Sequence, residues 1–336
     1  MTAAPPLPSF AQFEPVGQCN LRCQMCPIQF REEGPPFGPP AFMDFALYQR
    51  LVDEFPRLEG VHLQGLGEPL MHPRFTEMVS YAAARGAAVT TNSNMTLMNP
   101  RKAAALIGCG LRTLHVSIDG ATAATYEDIR RRGHLERVLA NVRMVLGARR
   151  AAGAEFPRLH LVAVAMRRNL AELPALADLA AELECDELFV QHLAHDFGEE
   201  ALPGRYRPMR DFVERETLLR EDPERVAAVF EDVRERAGRH GLALRLPPLA
   251  VRTYPPGTPG PERCSWPWNS AYFSWDGRMM PCCMVATPDR MNFGSAAERG
   301  VTEVWTSSAY AGFRAALASD SPPAICASCA LYNGTF

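Results

Sequence analysis

Short strand-like runs alternate with helix-like stretches through most of this 336-residue chain, and this alternation constrains the fold more than any other feature. Runs bounded by turn residues predict six strands, and amphipathic stretches of helical period predict six helices. The strands are predicted over Phe10–Val16, Val61–Gln64, Ala87–Thr91, Thr113–Ile118, Leu159–Ala165 and Glu187–Gln191, and the helices over Phe45–Phe55, Pro73–Arg85, Pro100–Cys109, Arg137–Ala152, Leu170–Leu183 and Pro223–Arg239. Strands alternating with helices at this spacing run parallel. The pattern predicts an α/β fold, either a partial barrel or an open doubly wound sheet.

The last ninety or so residues have a different character. Residues Pro247–Arg263 are rich in proline and glycine and predict a linker. Asp276-Gly277 is typical of a tight β-hairpin, and a short helix is predicted over Val301–Leu317. The two hairpin strands are predicted over Ala271–Trp275 and Arg278–Cys282. We therefore expect two domains, residues 1–245 and 246–336, of which the second is too poor in apolar sequence to be stable without a metal or another cross-link.

Composition excludes several classes of function. Apolar residues make up 47% of the chain, which is enough for a sizeable core, and the net charge is −3 with acids and bases intermixed. This charge distribution offers no basic surface for nucleic acid or for a membrane. No apolar run reaches membrane-spanning length, and the first ten residues do not resemble a secretory signal. We therefore expect a cytoplasmic protein with no nucleic-acid and no membrane partner.

Cysteine usage points to metal or redox chemistry. The chain has ten cysteines, and eight of them fall in two groups near its ends. Structural disulfides are rare in the cytoplasm, so grouped cysteines there indicate a metal or redox site. The other two, Cys109 and Cys185, lie in apolar helical stretches and are expected to be small buried side chains.

The first group has the spacing C-x3-C-x2-C, formed by Cys19, Cys23 and Cys26 directly after the first predicted strand. Three thiolates can bind three irons of a cubane cluster and leave the fourth iron without a protein ligand. That open iron can bind a cofactor or substrate, which a cluster with four cysteine ligands cannot do. A zinc knuckle lacking its fourth ligand and a plain redox thiol group remain alternatives on spacing alone.

The sequence CNLRCQMCP, residues Cys19–Pro27, resembles the cluster loop of the radical S-adenosylmethionine (SAM) superfamily. The resemblance implies that SAM binds the open iron of a [4Fe–4S] cluster, and that one electron cleaves its sulfonium to give a 5′-deoxyadenosyl radical. It also favours the partial (β/α)6 barrel, with a small C-terminal iron–sulfur domain. Met25 stands at the position before the last cysteine, which is often aromatic in the family and contacts adenine mainly through its backbone.

Further motifs of the same resemblance lie where the predicted strands end, which is where ligands of parallel α/β folds gather. The segment Gln64–Pro69 resembles the family's GGEP segment, which implies that Glu68 accepts a hydrogen bond from the α-ammonium of SAM, with Gly67 beside it. Ser93 stands where the family often has glycine after an asparagine. The residues that the resemblance implies in SAM binding are Met25, Gly67, Glu68, Asn92, Ser117 and Asp119, the last two of them at the ribose.

The second cysteine group offers four thiolates from separate segments, a donor set that suits a closed [4Fe–4S] or zinc site. These are Cys264, Cys282, Cys326 and Cys329. Their pattern, C-x17-C…C-x2-C, resembles the SPASM or twitch extension of radical SAM enzymes, which implies an auxiliary iron–sulfur cluster. Because the sequence ends at Phe336, we expect one auxiliary cluster. The surplus thiol, Cys283, either packs as an ordinary side chain or lies near the substrate and donates a hydrogen atom to a product radical.

The resemblance implies hydrogen abstraction from an unactivated carbon, with a flavodoxin or ferredoxin as electron donor. Only residues Met1–Gln18 precede the first cysteine, and we expect from this a small polar, carbohydrate-type substrate rather than a peptide. The leading hypothesis is epimerisation of a sugar or aminocyclitol unit in natural-product biosynthesis. The alternatives are dehydrogenation of a secondary alcohol with the auxiliary cluster as electron acceptor, and peptide modification. The polar residues expected to line the pocket are His62, Gln64, His115, Gln191, His192 and His195.

Overall fold

The computed structural model describes residues 5–31, 41–193 and 197–335. Its strands are β1 (Phe10–Phe13), β2 (Arg22–Cys23), β3 (Gly60–Leu63), β4 (Ala88–Ser93), β5 (Leu111–Ser117), β6 (Arg130–Arg131), β7 (Arg158–Ala165), β8 (Glu187–His192), β9 (Ala243–Arg245), β10 (Ser270–Phe273) and β11 (Met279–Met280). Its helices are α1 (Phe45–Asp53), α2 (Phe75–Ala83), α3 (Pro100–Gly108), α4 (Ala123–Ile129), α5 (Leu135–Ala151), α6 (Leu173–Glu182), α7 (Arg207–Glu216), α8 (Pro223–His240), α9 (Gly260–Arg263), α10 (Trp266–Asn269), α11 (Ala296–Arg299), α12 (Val301–Trp305), α13 (Ser308–Leu317) and α14 (Ala324–Ala327).

One nine-stranded sheet organises the molecule, in the order β11-β10-β1-β3-β4-β5-β7-β8-β9. The six strands predicted from the sequence, β1, β3, β4, β5, β7 and β8, are consecutive in this sheet and pair in parallel. Within the described residues the two edge strands do not pair with each other, so the barrel is unclosed. The predicted α/β fold, a partial barrel with six strand–helix units and a small C-terminal extension, is confirmed.

Local signals account for the helix boundaries. Asn99 accepts a hydrogen bond from the backbone of Lys102, and Pro100 occupies the first turn of α3. Asp222 caps α8 in the same way, and Gly241 ends that helix with a φ of 63°, a conformation that favours glycine. These residues place the helix ends within a few residues of the prediction.

Alternation along the strands separates the barrel's two faces. In β5, Leu114 and Val116 are buried against the helices, whereas His115 and Ser117 are half-buried on the other face. Successive side chains of a strand point to opposite sides, so the half-buried residues face the lumen of the barrel. The apolar core therefore lies outside the sheet, and polar side chains line the inside.

The C-terminal segment extends the sheet rather than packing on it as a separate layer. β10 pairs in parallel with β1, and the rings of Phe13 and Phe273 stack with centroids 4.9 Å apart. The predicted hairpin is present as β10 and β11, with Gly277 at a φ of 80°. The boundary predicted between residues 245 and 246 stays a prediction. Two strands from beyond it, β10 and β11, extend the sheet on the side of β1.

Three details of the structure differ from the prediction. The single helix predicted over Val301–Leu317 is two helices, α12 and α13, because Ser307 adopts an extended conformation and its hydroxyl caps α13 at Tyr310. The predicted linker Pro247–Arg263 contains the short helix α9, and the edge strand β9 was not predicted. Among the described residues, no helix is both long enough and apolar enough to span a membrane.

Candidate active site

The first cysteine group forms a loop at the C-terminal end of β1. Cys23 lies in β2, which pairs with β6 through Arg130. Hydrogen-bond donors approach the sulfurs: the amide of Leu21 lies 3.4 Å from Cys19 Sγ, and Asn94 Nδ2 lies 3.7 Å from the same atom. A guanidinium nitrogen of Arg130 lies 3.9 Å from Cys23 Sγ. Donors and a cation around the sulfurs stabilise thiolates, the form that binds iron.

Burial and mutual proximity make these thiols reluctant to ionise without a metal. Burial raises the pKa of Cys26 to about 12, with the charge of Cys23 adding to it. Burial also raises the pKa of Cys19 and of Cys23. A coordinated metal removes this cost because it holds the sulfur as a thiolate. In residues 5–31, 41–193 and 197–335, no three His, Cys, Asp or Glu side chains are set to hold a single metal ion. A cubane does not need that arrangement, since each thiolate binds a different iron, and three thiolates on one loop fit such a cluster.

The segment after β3 is held against the cysteine loop by a glycine that no other residue could replace. A Cβ added at Gly67 would lie 1.9 Å from the carbonyl oxygen of Val16 and 2.6 Å from that of Gln18. Real Cβ contacts are never that short with backbone atoms, so only hydrogen fits. The amide of Glu68 also donates to the carbonyl of Gln18, 2.9 Å away. The predicted GGEP-like segment therefore lies directly beside the cysteine loop.

Glu68 connects this segment with the end of β4. Its carboxylate is 3% exposed and accepts hydrogen bonds from Ser93 Oγ (2.7 Å) and from the amides of Asn94 (2.8 Å) and Leu70 (3.1 Å). Burial raises the pKa of Glu68, while these donors oppose the shift. Ser93, which replaces the family's glycine, therefore has a defined role, since its hydroxyl orients the carboxylate. The predicted contact of Glu68 with the α-ammonium of SAM stays a prediction.

Asp119 lies just beyond β5 and is fully buried. Its Oδ1 accepts from the amide of Val164 at 2.8 Å, and its Oδ2 lies 2.6 Å from Nε of Arg130, the residue that approaches Cys23. Each oxygen of Asp119 thus has a protein partner, and its predicted contact with the ribose stays a prediction. Ser117, at the end of β5, is half-buried on the lumen face.

A cavity of about 560 Å³ fills the lumen and touches both cysteine groups. Met25 and Cys26 border it on one side and Cys283 on another. The predicted polar lining is confirmed for His62, Gln64, His115, Gln191 and His192, and Asn92 lines it too; His195 lies outside the described residues. Sequence reasoning missed Gln12, His160, Glu187 and Arg245. The signal for two of them was available, because His160 and Glu187 occupy inward-facing positions of β7 and β8.

The second cysteine group assembles from three segments. Cys329 is buried in a cluster with Met284, against which Cys282 and Cys283 pack. Burial raises the pKa of Cys282, and the nearby charges of Cys283, Cys329, Cys326 and Cys264 raise it further. The four predicted ligands are thus close enough to influence one another, and such a set of buried thiols fits an iron–sulfur cluster as the first group does. Cys109 and Cys185 are buried away from both groups, as expected.

Comparison with known protein families gives two matches. The model of the radical SAM superfamily matches residues 13–179, and the model of SPASM, an iron–sulfur cluster-binding domain, matches residues 264–330. The first spans the cysteine loop and the strand-end motifs through β7. The second begins and ends close to the second cysteine group.

Curated relatives and solved structures give similar matches. The tungsten-containing aldehyde ferredoxin oxidoreductase cofactor-modifying protein of Pyrococcus furiosus is 27% identical over 326 residues, covering 91% of this chain and 83% of that protein. The PqqA peptide cyclase of a Methylobacterium species is 28% identical over 320 residues, covering 92% of this chain and 75% of that protein. Streptococcus suis SuiB, in a crystal structure bound to the precursor peptide SuiA, has the same fold, with a TM-score of 0.68 at 15% identity over 98% of this chain and 71% of SuiB.

Proposed function

The chain belongs to the radical SAM superfamily and carries a C-terminal SPASM iron–sulfur domain, and we propose that it modifies a peptide substrate. Membership means that it is an enzyme that uses SAM with a [4Fe–4S] cluster and needs a reductant, and the SPASM domain adds auxiliary iron–sulfur chemistry. A small electron-transfer protein such as a flavodoxin or ferredoxin is the reductant that we propose. Zinc, the alternative for either cysteine group, is set aside.

The expectation of a carbohydrate-type substrate is wrong. It depended on the short stretch before the first cysteine, and the position at which a sequence begins says nothing about what its cavity binds. A relative that spans 92% of this chain is described as a peptide cyclase, and none of the relatives reported above is described as a sugar epimerase or dehydrogenase. Epimerisation of a sugar or aminocyclitol is therefore replaced by peptide modification.

The observation that carries the proposal is the lumen cavity between the two cysteine groups. Its volume of about 560 Å³ lies within the range of pockets that enclose a ligand of several hundred daltons. Its walls include Phe10, Val162, Phe189 and Trp266. These apolar side chains stand among the polar lining and offer hydrophobic contact to an amino-acid side chain carried by a peptide, which a uniformly polar sugar would not use.

We assign roles to this chain's residues on the same basis. Cys19, Cys23 and Cys26 would hold the SAM-binding cluster, and Cys264, Cys282, Cys326 and Cys329 the auxiliary cluster. Met25, Gly67, Glu68, Asn92, Ser117 and Asp119 would hold SAM, and Asp119 would also orient Arg130. When bound, SAM and its cluster supply a carbon radical that removes a hydrogen atom from the substrate. The apolar walls exclude water from that radical. Cys283, on the cavity wall, is the cysteine that we propose to contact the substrate.

We also retain the predicted division into a core, residues 1–245, and an auxiliary-cluster region, residues 246–336. The contribution of β10 to the sheet supports a tight connection between the two, since β1 and β10 are adjacent parallel strands. A substrate in the lumen would then lie near both clusters.

The test is mass analysis of candidate peptides. The enzyme, reconstituted anaerobically, is incubated with reductant, SAM and each short peptide encoded beside its gene. We expect one peptide to change mass as 5′-deoxyadenosine forms, and neither change should occur with a Cys23→Ala variant. If 5′-deoxyadenosine forms but every peptide stays unmodified, the peptide assignment is contradicted.

A second candidate is modification of a non-peptide cofactor. It is favoured by the 27% identity to the Pyrococcus furiosus protein, which is described as cofactor-modifying. The same incubation with a small-molecule extract of the source cells, compared by mass with and without SAM, separates the two candidates.

A further inference from the structure

Three polar side chains lie side by side on the floor of the lumen. His115 on β5 is the register partner of His160 on β7, and His160 is the register partner of Glu187 on β8. The two imidazole rings meet edge to face, with centroids 5.3 Å apart and planes at 79°. All three residues line the cavity that Met25, Cys26 and Cys283 also border. We call His115, His160 and Glu187 the acceptor floor, for the reason that follows.

Hydrogen bonds determine which nitrogen of His115 carries a proton. Nδ1 of His115 lies 3.2 Å from the carbonyl oxygen of Thr91, which can only accept. Nδ1 must therefore donate, and the neutral ring keeps its lone pair on Nε2. Among the described residues, Nε2 of His115 has no hydrogen-bond partner, and the ring lines the cavity.

His160 faces a carboxylate on the next strand. Its Nδ1 lies 2.8 Å from Oε2 of Glu187, an atom that accepts from a ring N–H. Within the described part of the chain, Nε2 of His160 has no partner. Nε2 of His115 is thus the ring nitrogen whose lone pair is assigned as an acceptor for whatever occupies the floor, with the Glu187 carboxylate as a second acceptor two strands away.

We propose that the acceptor floor binds a hydroxyl group on the substrate's side chain, through Nε2 of His115. This inference rests on the proposed peptide substrate and specifies which side chain it presents. The ring of Phe189 and the side chains of Val162 and Trp266 form apolar walls of the same cavity. An aromatic ring ending in a hydroxyl group matches apolar walls around an acceptor floor.

The charges in the cavity argue against an ionised group at this position. Burial lowers the pKa of His115 to about 3, and the neighbouring His62, His160 and Arg245 lower it further. His115 is therefore neutral at working pH and offers no positive charge to a carboxylate. Arg245, whose guanidinium stacks 4.2 Å from the ring centroid of Phe189, puts a positive charge close enough to act on His115, and the Glu187 carboxylate lies on the floor itself. An ionised group therefore meets a like charge as well as an opposite one, whereas a neutral hydroxyl group meets no such conflict.

The experiment compares two probes of which only one carries a hydroxyl donor. N-acetyl-tyrosine amide and its O-methyl ether are titrated against the reconstituted, SAM-saturated enzyme by saturation-transfer NMR. We expect the hydroxyl probe to bind about three- to tenfold more tightly than the ether, as a hydrogen bond to a neutral acceptor allows. The proposal is overturned if the two probes bind equally or if neither binds detectably. It is also overturned if N-acetyl-lysine amide binds more tightly than the tyrosine probe.

A variant identifies the acceptor. His115→Phe keeps a ring of similar size and removes the nitrogens, so it should reduce the preference to about twofold or less. The matched control is His134→Phe, whose side chain is 69% exposed outside the cavity and which should keep the full preference. A preference that survives in His115→Phe, with iron content and far-UV spectrum unchanged, overturns the proposal. Binding of the probes does not require turnover, so the two proposals can fail separately. If no peptide is ever modified but the hydroxyl probe still binds more tightly than the ether, the proposed function is contradicted and the proposed role of the acceptor floor is not.

Discussion

Glu14 and Arg31 form a buried bidentate ion pair, in which both N–O distances are 2.9 Å and both side chains are at most 1% exposed. Glu14 follows β1 and also accepts from the amide of Leu66, at 3.1 Å, in the segment after β3. Arg31 follows the first cysteine loop and donates to the carbonyl of Ala286, 3.1 Å away, in the SPASM region. One ion pair thus connects the first cysteine loop and the segment after β3 to the region of the second cysteine group.

Removal of Glu14 should therefore destabilise the protein strongly. Glu14→Ala leaves the Arg31 guanidinium buried without a counter-charge, which costs about 3 to 5 kcal/mol. The measurement is the free energy of unfolding by urea. The control is Glu59→Ala, whose ion pair with Arg57 is 60% to 80% exposed and should contribute less than about 1 kcal/mol. Similar losses from both variants would contradict a special role for the buried pair.

The cysteine groups should load iron independently. The reconstituted protein should hold about eight irons, from two four-iron clusters. Cys23→Ala should reduce this to about four and abolish 5′-deoxyadenosine formation, whereas Cys282→Ala should also reduce it to about four but retain some cleavage of SAM. Cys109→Ala, a buried cysteine outside both groups, is the control and should keep all the iron. About four irons per wild-type protein would contradict the presence of an auxiliary cluster.

Gly67 should tolerate no side chain. Gly67→Ala places a Cβ against two backbone carbonyls, so the cysteine loop and the Glu68 segment must separate. We expect SAM affinity, measured by equilibrium dialysis, to fall at least about tenfold, since a lost hydrogen-bonded contact to a charged group costs about 1.5 to 3 kcal/mol. Gly147→Ala is the matched control, because a Cβ there meets nothing within 4 Å and α5 should gain about 0.5 to 1 kcal/mol. Unchanged SAM binding in Gly67→Ala would show that this close approach does not shape the cofactor site.

His115 should make the protein less stable in mild acid. Its pKa is about 3 in the folded protein and 6.5 for an unperturbed imidazole, so the unfolded chain takes up the proton first as the pH falls. Stability from this residue is therefore complete above about pH 6.5 and is lost progressively down to about pH 3. Between about pH 7.5 and 5.5 the wild type should lose about 1 kcal/mol more than His115→Phe does. Parallel pH profiles for the two proteins, followed by urea unfolding, would contradict the neutral buried state of His115.

The six barrel strands and most helices could be predicted within a few residues because their signals are local. Apolar residues at every second position mark the face of β5 that packs on the helices, and Asn99, Asp222 and Gly241 mark helix ends. The single predicted helix over residues 301–317 was wrong because its break depends on one serine hydroxyl. The prediction of a sugar substrate was wrong because the length of the sequence before the first cysteine gives no information about what the cavity binds.

The sequence by itself determined the parallel α/β core, the two sets of cysteines and the motifs that resemble SAM-binding loops, since each depends on residues close together in the chain. Only the tertiary structure decided that β10 lies beside β1, that Asp119 pairs with Arg130 near Cys23, and that His115, His160 and Glu187 form one floor. Those relationships join residues on different strands and loops. They depend on sheet order and register, which no local pattern of residue types records.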